Sequence, residues 1–231
     1  MMFDQVREHE YEPVEGLPEK LPEGEFMLWQ GRPDGRSIAR RVMKTGWFAF
    51  YFLVLAAWAF TAGLYDGRGL GASTFSAGAL VLFAAVLIGL LEAYAWGVHR
   101  TTMYTVTNRR VVMRVGVALP FTLNLPFSKI ASADLATGKR GIGDIAMALR
   151  ADERVSWLMM WPHVRPWRMF RCEPALRCIP EAEKVAGILG KALSDYLAGH
   201  ADEAPRIAVT TAGPETSRQR TAGLKTVTAA E

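Results

Sequence analysis

The sequence predicts an α+β membrane protein in which a two-helix transmembrane hairpin is followed by a cytoplasmic antiparallel β-barrel or sheet capped by a C-terminal helix. Three observations carry that prediction. Two long apolar runs occupy 46–64 and 77–98, the apolar period drops to two between Met103 and Trp161, and a helical stripe follows Pro180. Half of the 231 residues are hydrophobic although 22% are charged, a mixture that suits a polar domain joined to a membrane anchor.

The chain opens with charge rather than hydrophobicity. Asp4 to Glu25 holds eight acids and two bases, whereas Arg32 to Lys44 holds five bases and one acid. Residues 1–45 are therefore expected as an acidic mobile lead and a basic juxtamembrane segment. No apolar core of a signal peptide is present in the first 25 residues, which places the start in the cytoplasm. Glu25–Asp34 contains a short apolar patch closed by Gly31 and Pro33, either a strand or an interfacial segment with Trp29 at headgroup level. Ser37–Lys44 follows as a basic, helix-like run suited to anionic lipid.

Gly46–Leu64 is uncharged and, as a helix, spans about 28 Å, close to a hydrocarbon core of roughly 30 Å. Asp66–Ser76 reads as a Gly-rich turn, and Ala77–Val98 as a second span interrupted only by Glu92. One base lies between the spans and many lie outside them, so both termini are expected in the cytoplasm.

Candidate strands then follow at 103–107, 110–117, 121–126, 130–136, 143–149 and 154–161. The first two form a hairpin about Asn108-Arg109, since Asn tolerates the turn conformation. Residues 162–180 carry four prolines and are expected to be irregular. Glu181–Leu197 is a helix with Val185, Ile188, Leu189, Ala192, Leu193 and Tyr196 on one stripe, and 200–231 is expected as a disordered tail.

Candidate sites are sparse. Ala85, Gly89, Ala93 and Gly97 recur every fourth residue, a pattern that lets helices approach closely, and points to self-association through the second span. Glu92 is expected either to hydrogen-bond across that helix interface or to be a tolerated near-interface acid. Trp157, Trp161, His163 and Trp167 form a candidate partner surface, with the last strand of a barrel as the alternative. Arg109, Arg110, Lys139 and Arg140 are candidate lipid or partner contacts, the latter two in a Gly-rich turn that lacks the ending of a phosphate loop. His99 suggests a pigment ligand or a solvated interfacial side chain. Cys172 and Cys178 are expected as free thiols. No catalytic, metal or nucleotide signature appears, so an enzyme is not expected, nor a cofactor, nor a nucleic-acid partner.

Tyr104-Thr-Val-Thr-Asn-Arg-Arg-Val-Val-Met-Arg-Val-Gly116 resembles the opening hairpin of bacterial pleckstrin-homology-like (PH-like) domains, which assigns 101–199 to such a domain. Leu21-Pro-Glu-Gly-Glu-x-x-Leu-Trp-Gln-Gly-Arg-Pro-Asp34, Tyr104–Pro126 and Trp161-Pro-His-Val-Arg-Pro-Trp-Arg168 are similar to the photosynthetic complex assembly protein PuhB family, with likeness from about Pro18 to Leu193. That resemblance implies a factor of the inner (intracytoplasmic) membrane of purple bacteria that aids reaction-centre assembly, with indirect effect on light-harvesting complex 1. Reaction-centre subunits, membrane lipids and a second copy of the chain are the expected partners. A lipid-binding PH-like module and a pigment-delivery protein are the alternatives. The sequence departs from the family pattern in showing two spans where members are assigned a third, and in its tail after Gly199.

Overall fold

The computed structural model describes residues 20–150, 155–168 and 170–199, without the side chain of Lys139. The expected acidic start before residue 20 and the expected tail from 200 lie outside the described residues. In chain order the elements are β1 (Met27–Gly31), α1 (Gly35–Ser37) running into a π-helical turn (Ile38–Val42), α2 (Thr45–Tyr65), α3 (Gly69–Thr101), β2 (Met103–Thr107), β3 (Arg110–Val115), β4 (Phe121–Pro126), β5 (Ile130–Thr137), β6 (Gly143–Leu149), α4 (Trp157–Met160), β7 (Ala175–Ile179) and α5 (Ala182–Gly199).

The strands form two antiparallel sheets, ordered β1-β2-β3-β4 and β5-β6-β7, which do not join into a closed barrel among the described residues. The inward side chains of both sheets, among them Tyr104, Met113, Ile145 and Met147, share one core. Val185, Leu189 and Leu193 of α5 close it, because the stripe recurs at helical spacing and turns toward the sheets. Phe127 meets the Tyr196 ring edge-on at 5.7 Å.

Four sequence expectations change. The 154–161 segment is not a strand: Trp157–Met160 is a single helical turn ending at Trp161-Pro162. The irregular region conceals β7, whose five residues are all buried. The turn between the spans is short, since α3 begins at Gly69 and runs for 33 residues. Finally, the sheet domain does not begin at residue 101. β1, from before the hairpin, pairs with β2 with Met27 opposite Thr107 and Gly31 opposite Tyr104. Both long helices thus form an insertion between two hydrogen-bonded strands.

α2 and α3 are long and apolar enough to cross a membrane, and only 11% and 6% of their most apolar windows is buried. Such exposure separates them from the core helices of soluble proteins, which bury an apolar face. They pack on each other through Ala56 and Gly63 of α2 and Ser73 and Ala84 of α3, which are buried. A Cβ on Gly63 would lie 2.6 Å from Ser73 Oγ, so glycine is required for this approach.

Candidate functional site

The candidate site is the junction where α3 leaves the hairpin and meets the sheets. Thr45, at the start of α2, donates its hydroxyl to Glu92 Oε1 at 3.4 Å. At 1.5 Å per residue, the stretch of α3 from Glu92 to Thr101 rises about 14 Å beyond that level. Ala95 and Val98 of this stretch are buried against Ile38, Ala39, Met43 and Cys178. Gly97 faces Val117, where an added Cβ would stand 3.0 Å from Cγ1. The basic run expected to lie on lipid is therefore packed in part between helix and sheet.

Hydrogen bonds and ion pairs lock that arrangement. Asp34 caps α1 by accepting from Ser37 N–H at 2.8 Å, and its own N–H donates to the Cys178 carbonyl at 2.8 Å. Cys178 N–H donates to Asp144 Oδ1 at 2.6 Å. Cys178 has φ 51, a left-handed conformation that lets both its backbone groups leave the ladder at an irregular step of β6–β7 pairing. Asp144 also faces Arg41 at 3.6 Å and Arg177 at 3.4 Å, while Arg41 Nη1 donates to the Ile142 carbonyl. Burial, reinforced by Asp144, pushes the Cys178 thiol up to about 12, so it stays protonated. Burial likewise raises Cys172 to about 11, and both cysteines are free thiols.

Next to the junction lies a buried polar chain. Tyr104 Oη is 2.6 Å from His163 Nδ1 and accepts from Arg177 N–H at 3.3 Å. With that N–H as its donor, the phenol gives its own proton to Nδ1, which leaves the proton of a neutral imidazole on Nε2, 3.3 Å from Thr102 Oγ1. Burial, with Arg177 nearby, lowers His163 to about 3, and burial raises Tyr104 well above the ordinary phenol range. Arg177 Nη1 donates to the Val164 carbonyl at 2.6 Å.

The sequence-predicted residues separate into different places. Ala85, Gly89 and Ala93 are exposed on α3 and take no part in its seam with α2. Gly97 instead meets the sheet domain through Val117, and Glu92 sits opposite Thr45 at the hairpin's end. His163 is buried and so is no part of a surface, which corrects its place among the partner residues. Trp161 is 41% exposed and stacks on Tyr94 at 5.9 Å, and Trp167 is 93% exposed. Trp157 is half-buried, and its Nε1 has no hydrogen-bond partner among the described residues.

The basic candidates change more. Arg110 is consumed by Glu25 at 2.7 Å, and Thr107 donates to the same carboxylate at 2.8 Å. Asn108 accepts from Phe26 N–H and donates to the Gly24 carbonyl, so the β2–β3 turn clamps the chain ahead of β1. Arg109 lines a cavity of about 320 Å³ with Phe26, Leu28, Asp195 and Tyr196. Arg140 is exposed at φ 63 in the β5–β6 turn. Sequence reading missed Glu25, Asp34, Asp144 and Arg177, whose partners lie many residues away. His99 Nδ1 lies 2.7 Å from the Pro33 carbonyl, which ties the helix end to the segment after β1. Among the described residues no group of three or more His, Cys, Asp or Glu side chains is placed to hold a metal.

The model of one family, described as a bacterial PH domain, matches residues 50–193. A Rhodobacter capsulatus protein, described as an uncharacterized 23.7 kDa protein in the puhA 5' region, is 44% identical over 185 residues. The match covers 79% of this chain and 86% of that protein. No solved structure matches.

Proposed function

Since the chain belongs to the bacterial PH domain family, we propose that it is a PuhB-like, non-catalytic membrane factor that assists assembly of the photosynthetic reaction centre. The observation that carries this reading is the relative in the puhA 5' region, alongside the three sequence motifs that resemble those of the PuhB family. The fold supports it by joining a helical hairpin, exposed along most of its length, to a sheet domain held fast at one end. In this reading α2 and α3 span the inner (intracytoplasmic) membrane. Arg36, Arg40, Arg41, Lys44 and Arg100 gather at the domain end of the hairpin, which favours a cytoplasmic domain.

Exposed Ala85, Gly89 and Ala93 offer the close-approach face on which a reaction-centre subunit's helix, or a second copy of α3, would pack. Deleting the gene at constant reaction-centre transcript level is expected to lower near-infrared reaction-centre absorbance several-fold. Light-harvesting complex 1 would fall as a consequence. Complementation with the intact gene restores it, whereas Gly89→Leu with Ala93→Leu restores it poorly. Unchanged absorbance in the deletion strain would sink the reading.

A further inference from the structure

Between β6 and β7 five large apolar side chains face solvent, while Trp157 is half-buried and Met160 is buried. Leu158, Met159, Trp161, Trp167 and Phe170 are 79%, 59%, 41%, 93% and 103% exposed. Contiguous exposure on this scale marks a contact surface. Its position identifies what covers it. Trp161 stacks on Tyr94, two residues beyond Glu92, and Glu92 is level with the start of α2. Trp47 and Trp96, both largely exposed, fall within a band of about 9 Å around the same level. Tryptophan and tyrosine gather where hydrocarbon gives way to headgroups.

The surroundings agree. Two shallow grooves of about 610 and 670 Å³ flank Trp47, with Arg40 on the rim of one and Lys44 on the rim of the other. Exposed Arg171 brings positive charge beside these aromatics, while Arg168 pairs with Glu173 at 3.0 Å. The base of the segment is fixed: Arg165 bridges Asp134 at 2.6 Å and Glu173 at 3.0 Å, and Val164 pairs with Pro174. Trp167 has φ 66, a conformation bulky residues rarely adopt, and holds its ring away from the protein.

We propose that the 157–170 segment is an interfacial wedge seated in the lipid headgroup layer, giving the protein a third membrane contact beside its two helices. This rests on reading α2 and α3 as spans. The wedge fixes the tilt of the sheet domain on the bilayer.

The test uses the full chain with Cys172→Ser and Cys178→Ala, reconstituted in phosphatidylcholine–phosphatidylglycerol vesicles. Nitroxides are attached singly at Leu158→Cys, Met159→Cys and Phe170→Cys, at Val54→Cys in the hairpin, and at Lys191→Cys on α5. Collision rates with oxygen and with a water-soluble nickel chelate are compared. The wedge predicts that the first three labels favour oxygen over nickel several-fold relative to Lys191→Cys, at a depth shallower than Val54→Cys. Nickel access equal to Lys191→Cys, with Val54→Cys reading as lipid, overturns the wedge and leaves the spans intact. Low access to both reagents also overturns it and points to a protein partner on that surface. Water exposure at Val54→Cys overturns the span reading and the wedge with it.

Discussion

Burial away from water, with Arg177 as a second cause, lowers His163 and keeps it uncharged. Its folded value of about 3 lies below the ordinary value of 6.5, so the unfolded chain binds more protons throughout that interval. The stability from this group is therefore complete above about pH 6.5 and is lost as pH falls toward 3, at up to about 1.4 kcal/mol per pH unit. Denaturant titrations in detergent are expected to show a His163→Leu variant less stable than the parent by about 1–3 kcal/mol at pH 7, since Tyr104 loses its acceptor. The gap should narrow on acidification. A constant gap from pH 7 to 4 would rule out this titration. The motif containing His163 was visible in the sequence, but its burial was not. Its partners are Tyr104 and Thr102, about 60 residues earlier, and no local spacing reveals them.

At the scale of elements, the Asp144 carboxylate ties β6 to two other pieces of chain: the turn after α1 through Arg41, and β7 through both Cys178 N–H and Arg177. Replacing it with Ala strands a buried guanidinium and an amide at once. Asp144→Ala is expected to cost about 3 kcal/mol in unfolding measurements, while Asp144→Asn retains an acceptor and costs less. Equal losses would show that the carboxylate serves only as a hydrogen-bond acceptor. Strands whose residue types alternate were legible to within a residue or two, as β2, β4 and β6 were, although β2 is buried on both faces. β7 escaped because Ala-Leu-Arg-Cys-Ile has no polar–apolar alternation between the flanking prolines and carries a charged residue, Arg177, at its centre. The apolar run at 157–160 suggested a strand, but its exposed Leu158 and Met159 belong to a helical turn. β1 was ambiguous for a related reason: its exposed Met27 and Leu28 suit an edge strand as well as an interface.

For the whole molecule, the decisive feature is the pairing of β1 with β2 across an insertion that holds both long helices. A fragment limited to 101–199 would expose the edge of β2 and leave Arg110 without Glu25. That fragment is expected to elute as aggregate in gel filtration. Residues 20–43 joined to 98–199 by about eight Gly/Ser residues should elute as a monomer with a cooperative thermal transition. Met43 and Val98 already share one cluster, so a short linker spans the gap. Monomeric behaviour of both fragments would show β1 to be dispensable. The hairpin was legible from composition, whereas its place inside a sheet was not, because the strands that meet are separated by more than seventy residues. With α2 and α3 read as spans, as proposed above, that order of segments ties the sheet to the way the chain enters the bilayer. β1 would leave the ribosome before β2 and pair with it only after both helices had been inserted. A chain with one helix left uninserted would strand its two halves on opposite sides, and the domain could not close. On that reading, folding of the sheet would be coupled to correct insertion of both helices.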